Sequence, residues 1–208
     1  MVEQLQALDR QLLIAANAHR SPWLDAVMVF CSERTVWIPA YVVLLGLLVW
    51  RYRRRALLLL PLLLLSVGLA DVISSRFFKP FFARLRPCHD PELSATLNLV
   101  NGCGGQFGFM SSHAANSFAL VAFLWLVLPR RFWWAKVLVL FWAALMSYSR
   151  IYLGAHYPSD VLAGAALGSA VAALCALAYE YLARRWWGPL GHPTTKTGGA
   201  AAPPAGLS

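Results

Sequence analysis

Five long apolar segments follow one another along the chain after residue 35, separated by polar or basic turns. They cover residues 36–50, 56–73, 114–128, 132–148 and 161–182. An α-helix rises about 1.5 Å per residue, so segments of this length approach the roughly 30 Å hydrocarbon core of a bilayer. The pattern therefore predicts an all-α, polytopic membrane helix bundle with five transmembrane helices.

The first 33 residues have a different pattern, in which apolar residues recur every three or four positions. One helical face carries Leu5, Leu8, Leu12, Leu13 and Ala16. A second short helix, starting at Ser21 and Pro22, is too short and too charged to cross a bilayer unaided. We therefore expect helices that lie at the membrane interface, and a sixth span within residues 1–33 is left open.

These patterns divide the chain into three regions. Residues 1–33 form the interfacial helices, residues 34–187 form the transmembrane domain, and residues 188–208 form a tail rich in Pro, Gly, Ala and Thr. A segment of that composition buries too little apolar surface to fold, so we expect the tail to be disordered.

Composition narrows the class of protein further. Hydrophobic residues make up 59% of the chain and charged residues 13%, against about 25% charged residues in ordinary soluble domains. The net charge is +9, but the basic residues cluster between apolar segments and form no stripe with exposed aromatic residues. This pattern argues against a nucleic-acid partner and makes the bilayer the expected one.

The arginine clusters predict the topology of the chain. They lie at residues 51–55, 130–131 and 184–185, and five alternating spans place all three on one side of the membrane. The positive-inside rule makes that side cytoplasmic. The polar segments 74–112 and 149–160 then share the opposite, outer face.

Segment 149–160 carries ionisable residues that are costly near a membrane unless they are used. Pro158 favours the start of a helix, which places Asp160 in the first turn. The carboxylate can then hold one imidazole nitrogen of His156 and leave the other free for nucleophilic attack. The alternative is that Asp160 only caps its helix and His156 is an ordinary loop residue.

Three cations, Lys79, Arg86 and Arg150, are expected near the same outer surface, against the topological bias. Arginine offers a planar fork of donors and lysine a compact charge, and both suit phosphate oxygens. The alternative for an outer cation is snorkelling to lipid headgroups, which we assign to Arg76 and Arg84.

Ser111, Ser112 and His113 stand immediately before the third span. Either serine can cap that helix and present backbone N–H groups to an anion. His113 is placed to give a proton to a leaving oxygen. Plain capping, which needs one serine and no histidine, is the alternative.

Together these residues resemble the three motifs of the type 2 phosphatidic acid phosphatase superfamily. Residues 79–87 match its Lys-x6-Arg-Pro motif, and residues 149–160 match its Ser-Arg-x5-His-x3-Asp motif. Residues 110–113 resemble its Pro-Ser-Gly-His motif, with Met110 in place of proline and Ser112 in place of glycine.

The resemblance implies a multi-pass lipid phosphatase of the bacterial inner membrane, with its active site facing the periplasm. His156 would form a phosphohistidine, Asp160 would orient it, and His113 would protonate the leaving oxygen and then activate water. The phosphate would be held by Lys79, Arg86, Arg150, Ser111 and the backbone N–H of Ser112. The superfamily needs no metal or other cofactor, and the sequence has no cluster of carboxylates that would hold magnesium.

A membrane-embedded site implies a lipid phosphate as substrate. The superfamily includes phosphatases of undecaprenyl diphosphate, phosphatidylglycerophosphate and lipid A, and we favour undecaprenyl diphosphate. The alternative of another class is a non-catalytic protein that binds or transports lipid phosphates. Binding alone needs only the cations, so His113, His156 and Asp160 argue for an enzyme. The sequence indicates no oligomeric state.

Cys88 and Cys103 both lie in the outer segment, where an oxidising periplasm permits a disulfide between them. Such a bond would close a loop of about 15 residues and stabilise the fold by ~3 kcal/mol in the loop-entropy model. Two free thiols are one alternative. A metal pair with His89 is another, but no second pair of ligands accompanies it.

Overall fold

The computed structural model describes residues 2–188, and the regular elements within that range are all helical. The same range contains one isolated β-bridge, between Leu85 and Phe107. The predicted all-α class is therefore confirmed. The predicted tail, beyond Gly188, lies outside the described residues.

Two helices, α1 (Val2–Ala18) and α2 (Pro22–Ser32), precede the bundle. Ser21 caps α2 by accepting the N–H of Leu24 at 3.2 Å. On α1 the outward apolar side chains are Leu5, Leu8, Leu12 and Ile14. Leu13, in contrast, is fully buried, so α1 is amphipathic but packs its inner face against the rest of the protein.

The next helices are α3 (Ile38–Tyr52) and α4 (Ala56–Val72). Between them Arg53 has a φ of 50°, a conformation that breaks the helix and puts the first arginine cluster in a tight turn. The end of α4 widens into π-helical turns (Ile73–Phe78) before the short α5 (Lys79–Phe82). Such turns are frequent at functional sites, and here they lead directly into the first motif.

Three further helices complete the bundle: α6 (Ser112–Val127), α7 (Trp133–Tyr152) and α8 (Pro158–Trp187). The helices α3, α4, α6, α7 and α8 coincide with the five predicted segments to within five residues at each end. Their shared core includes fully buried Leu59, Phe123 and Tyr179.

The helices α6 and α8 lie against each other at two glycines. A methyl group at Gly164 would collide with the carbonyl oxygen of Ser111, and one at Gly168 with that of Ala115. Small residues at such positions let membrane helices approach closely. This contact sets the distance between the second and third motifs.

Three helical stretches are long and apolar enough to cross a bilayer, namely Thr35–Phe82, Arg130–Tyr152 and Pro158–Trp187. The first of them contains both α3 and α4. Large apolar side chains point outward from these stretches, among them Leu57, Phe141, Leu162 and Leu174. An outer surface of this kind is expected of helices that face lipid.

The connection over residues 83–111 folds across one end of the bundle. A short antiparallel pairing joins its two ends, with Arg86 N–H donating to Gln106 and Gly108 N–H donating to Arg84. A disulfide links Cys88 to Cys103, whose Cα atoms are 5.8 Å apart. The connection is thus tied to itself beside the first and second motifs.

Candidate active site

The turn between α7 and α8 holds His156 in a fixed position. The carbonyl of Arg150 accepts the N–H groups of Ala155 and His156, at 3.0 and 3.2 Å. Gly154 has a φ of 69°, which L side chains rarely adopt. As a result His156 is folded inward and only 1% exposed.

Asp160 caps α8 and faces His156 without the hydrogen bond that we expected from the sequence. Its Oδ2 accepts the N–H of Tyr157 at 3.0 Å, which caps α8, and the same oxygen lies 3.7 Å from Nδ1 of His156. That distance is too long for a hydrogen bond but leaves the two groups in direct electrostatic contact. Nδ1 faces the carboxylate, and Nε2 remains for another partner.

The three predicted cations, Lys79, Arg86 and Arg150, surround this imidazole. Burial of the ring, and then the charges of these cations, lower the pKa of His156 well below 6.5, while the carbonyl of Gly108 acts in the opposite direction. The imidazole is therefore neutral at physiological pH. A cationic pocket around a neutral imidazole attracts an anion and leaves the ring free to react with it.

Arg86 is held by the glycine-rich end of the connection over residues 83–111. Its Nε donates to the carbonyl of Phe107 at 3.2 Å, and it is almost fully buried. A methyl group at Gly104 or Gly108 would press on its side chain at 3.2 Å. Burial lowers the pKa of Arg86, but an arginine remains charged after such a shift.

Arg150 lies in the last turn of α7 and is half-buried. Its Nη1 donates to the hydroxyl of Ser32, at the end of α2. An N-terminal helix therefore contributes to the position of a predicted phosphate ligand.

The two serines of the second motif have different environments. Ser111 caps α6, since its Oγ accepts the N–H of Ala114 at 3.4 Å, and its own N–H donates to the carbonyl of Asp160 at 3.0 Å. The hydroxyl of Ser112 accepts a hydrogen bond from Nζ of Lys79 at 3.0 Å. The hydroxyl beside a site cation is therefore that of Ser112, and a role of Ser111 in phosphate binding stays a prediction.

His113 receives a hydrogen bond at Nε2 from Nε of Arg34, at 3.3 Å. Both residues line a cavity of about 310 Å³ whose other walls are mainly apolar side chains of α3, α4, α6 and α7. A cavity with a charged wall beside apolar walls suits a molecule with a polar head and a hydrocarbon body.

The prediction that Arg84 snorkels toward lipid headgroups is wrong. Its Nη1 donates to Oδ1 of Asp160 at 2.7 Å, and its Nη2 donates to Oδ2 of Asp9 at 2.8 Å. Two buried carboxylates are stronger partners than hydrated headgroups. One signal was present in the sequence, since Arg84 stands two positions before Arg86 and residues two apart on an extended segment share a face. A headgroup role for exposed Arg76 stays a prediction.

Other residues near the site carried no sequence signal. They are Asp9, Ser32, Arg34 and Ser74, which contact Arg84, Arg150, His113 and Ser112 respectively. Three of them come from the first 34 residues, far in sequence from every motif.

The alternative of a metal site at Cys88, His89 and Cys103 has the necessary proximity. The two sulfur atoms are bonded to each other, however, and a disulfide offers no thiolate ligands. His89 is engaged instead with the carbonyl of Gly104, at 3.0 Å from its Nε2.

Comparison with known proteins gives consistent results. The sequence profile described as the PAP2 superfamily matches residues 57–184. A lipid A 4'-phosphatase from Bacteroides thetaiotaomicron is 39% identical over 171 residues, which cover 81% of this chain and 75% of the relative. An undecaprenyl-diphosphatase from Sulfolobus acidocaldarius is 31% identical over 170 residues, which cover 80% and 76%.

A solved structure extends the similarity to three dimensions. The transmembrane PAP2-type phosphatidylglycerolphosphate phosphatase from Bacillus subtilis superposes with a TM-score of 0.66 at 26% identity, over 88% of this chain and 89% of that one. The chain therefore belongs to the PAP2 superfamily, as its three motifs predict, and is a lipid phosphatase of that metal-independent class.

Proposed function

We propose that the protein hydrolyses the phosphate ester of a membrane lipid through a phosphohistidine formed on His156. The observation that carries the proposal is a buried imidazole with Asp160 on its Nδ1 side and three cations around it. Because the pKa of His156 lies well below 6.5, the ring keeps a lone pair on Nε2 at neutral pH.

In the first step, Nε2 of His156 attacks phosphorus and the bond from phosphorus to the lipid oxygen breaks. His113, which takes up a proton from water at Nε2 once the bound phosphate has drawn Arg34 away, gives that proton to the lipid oxygen. The carboxylate of Asp160 stabilises the imidazole as it becomes positively charged. Charge on the phosphoryl oxygens is stabilised by the three cations, Lys79, Arg86 and Arg150.

In the second step, water attacks the phosphorus, His113 takes a proton from that water, and the bond between phosphorus and Nε2 breaks. Inorganic phosphate leaves, and both histidines return to their starting protonation states. The hydroxyl of Ser112 and the backbone N–H groups at the start of α6, which Ser111 caps, add donors for the phosphate. A bound phosphate would also draw Arg34 away from Nε2 of His113.

The substrate we propose is a lipid A phosphate. From the sequence we favoured undecaprenyl diphosphate. The lipid A 4'-phosphatase relative is 39% identical to this chain, however, and the undecaprenyl-diphosphatase is 31% identical, which supports lipid A. Undecaprenyl diphosphate and phosphatidylglycerophosphate remain the alternatives. In each case the apolar cavity beside His113 is the place for the part of the lipid next to the phosphate.

We further propose five membrane crossings, by α3, α4, α6, α7 and α8, in a bacterial inner membrane. Alternation of these helices puts the arginine clusters at one end of the bundle and His156 at the other. The positive-inside rule then supports a site that opens toward the periplasm, with α1 on the membrane surface.

The test is phosphate release by purified protein in buffer that contains EDTA. The substrates are lipid A, undecaprenyl diphosphate and phosphatidylglycerophosphate at equal mole fraction in detergent micelles. We expect the fastest release from lipid A. Loss of a covalent nucleophile lowers kcat by a factor on the order of 10⁴ or more, so His156→Ala should release almost no phosphate.

A matched control is His19→Ala, which removes an exposed histidine immediately after α1 whose Nδ1 bonds to the nearby carbonyl of Ala15. It should keep the rate of the unmodified protein. Fastest release from undecaprenyl diphosphate would reassign the substrate, and an active His156→Ala protein would refute the nucleophile. Lipid binding without any phosphate release would support the non-catalytic alternative.

A further inference from the structure

The carboxylate of Asp160 faces His156 with one oxygen and is held through the other. Oδ2 lies 3.7 Å from Nδ1 of His156, whereas Oδ1 accepts a hydrogen bond from Nη1 of Arg84 at 2.7 Å. Asp160 is fully buried, so contacts with protein groups set its orientation. Arg84 thus helps to determine which oxygen faces the imidazole.

Arg84 is in turn held by a residue of α1. Its Nη2 donates to Oδ2 of Asp9 at 2.8 Å, and its guanidinium carbon lies 4.2 Å from the centre of the Tyr157 ring. Asp9 precedes Arg84 by 75 residues and is only 3% exposed. A buried carboxylate is costly unless it is paired and hydrogen-bonded, and Asp9 meets both conditions.

Asp9 also binds the start of α8. Its Oδ1 accepts the N–H of Ser159 at 2.9 Å, and its Oδ2 accepts the Ser159 hydroxyl. Ser159 is the second residue of α8, where backbone N–H groups have no partner within the helix. A single side chain therefore contacts both the arginine that holds Asp160 and the residue that precedes Asp160.

The charges in this chain of contacts alternate in sign. The guanidinium of Arg84 lies between the carboxylates of Asp9 and Asp160. Without Asp9, the whole positive charge of Arg84 would act on Asp160. It would draw the Asp160 carboxylate away from His156 and offset the negative charge next to the imidazole. With Asp9 present, part of the Arg84 charge is balanced by Asp9, so Asp160 keeps more of its electrostatic effect on a positively charged imidazole.

We propose that Asp9 is a positioning residue for phosphoryl transfer and acts through Arg84 on Asp160. The proposal rests on the function proposed for His156. Asp9 touches neither the imidazole nor the phosphate pocket, and it lies before the residues 57–184 that match the superfamily profile. The N-terminal helix thus belongs to the catalytic apparatus of this protein.

The attachment of α1 to the bundle has a second, separate source. Asn17 donates from Nδ2 to the carbonyl of Tyr152 at 2.8 Å and accepts the N–H of Asn98 at 2.9 Å. Leu13 packs in a cluster with Leu93, Leu97 and Tyr157. The contacts of Asn17 involve neither Asp9 nor Arg84, so a loss of α1 docking can be compared with a loss of the Asp9 charge.

The test compares kcat and KM for lipid phosphate in three variants of the full-length protein. Asp9→Asn keeps the volume of the side chain but removes its charge. Loss of a supporting residue of this kind typically costs about 10-fold to 100-fold in activity, and we expect that fall in kcat. KM should stay unchanged, because the cations of the phosphate pocket are untouched.

Two control variants accompany Asp9→Asn. Arg10→Gln removes the neighbouring charge of α1, which pairs with exposed Glu92 and with part-buried Asp90. Asn17→Ala weakens the docking of α1 and leaves Asp9 in place. Arg10→Gln should keep the kcat of the unmodified protein. Asn17→Ala should lower the Tm as much as Asp9→Asn does or more, but should lower kcat by much less.

A fourth variant covers the case in which Asp9→Asn does not fold. Arg84→Lys keeps a positive charge, but a single ammonium group lacks the planar fork that bridges two carboxylates. We expect the same split, with lower kcat and unchanged KM. In the double variant of Asp9→Asn and Arg84→Lys, the two losses should not add, because both residues act through the same contact.

The outcomes separate this proposal from the one on which it rests. An active protein whose kcat is unchanged by Asp9→Asn, or lowered equally by Asn17→Ala, overturns the positioning role and leaves the phosphatase proposal standing. A protein that releases no phosphate from any lipid overturns both. Losses that add fully in the double variant contradict action through Arg84.

Discussion

Arg84 and Arg86 have the same side chain, lie two positions apart and serve different partners. The charge of Arg86 acts on the imidazole of His156 and its Nε donates to the carbonyl of Phe107, whereas Arg84 bridges two buried carboxylates. The motif resemblance gave a role to Arg86 alone. The residue type predicts a charge and a set of donors, but the partner depends on which distant groups come within reach.

Cys88 and Cys103 provide a test at the scale of single residues. Their bond closes a loop that, in the loop-entropy model, is stabilised by about 3 kcal/mol, so Cys88→Ser should lower the Tm of the purified protein. Alkylation of denatured, unreduced protein should modify only the two free cysteines, Cys31 and Cys175. Reduction should then add two alkyl groups by mass. Four modified cysteines before reduction would contradict the disulfide.

The pair α6 and α8 is the element that joins the second motif to the third. The N–H of Ser111 donates to the carbonyl of Asp160, and two turns of α8 with Gly164 and Gly168 lie against the α6 backbone. The two glycines and the many alanines of α8 favour close packing against another helix. The helix against which α8 packs could not be predicted from that composition.

Gly168→Ala tests this helix contact. The added methyl group meets the carbonyl of Ala115, and overpacking of this kind typically costs about 1–3 kcal/mol. Both Tm and phosphate release should fall, because α6 must move away and carry His113 with it. The measurements are thermal unfolding in detergent and kcat on lipid phosphate.

Gly68→Ala is the matched control for that variant. Gly68 lies within α4, and a methyl group there would meet no atom within 4 Å. Alanine is favoured over glycine inside a helix by roughly 0.5–1 kcal/mol, so Tm should stay the same or rise. An equal loss of Tm in both variants would argue against a specific contact between α6 and α8.

At the scale of the whole molecule, the alternating helices place the motif residues at one end of the bundle and the three arginine clusters at the other. Tyr52, beside the first arginine cluster, packs against the core that includes Tyr179 and Ala183 of α8, so this cluster lies near the end of the last helix. The motif residues meet at the other end. The amphipathic α1 is joined to that catalytic end through Asp9 and Asn17.

Cysteine labelling in intact cells tests this orientation. Glu92 lies exposed on the outer connection and Arg54 in the turn between α3 and α4. A membrane-impermeant maleimide should label Glu92→Cys in intact cells but should label Arg54→Cys only after the membrane is permeabilised. The reverse pattern would place the active site in the cytoplasm and contradict the proposed topology.

The sequence by itself determined the helical segments, the membrane class and the superfamily. The length of an apolar segment is a local property of the sequence. Each motif also lies within about a dozen consecutive residues, so both could be identified without the tertiary structure. The candidate nucleophile and the three phosphate-binding cations were named in the same way, and their catalytic roles stay predictions.

Only the tertiary structure decided how the first 34 residues join the site. Contacts such as Asp9 with Arg84, and Ser32 with Arg150, connect positions 75 and 118 residues apart. The tertiary structure also showed that Asp160 caps α8, faces the imidazole of His156 and bonds to Arg84 at the same time. Such contacts depend on helix packing and leave no periodicity or local motif in the chain, so the sequence alone did not reveal them.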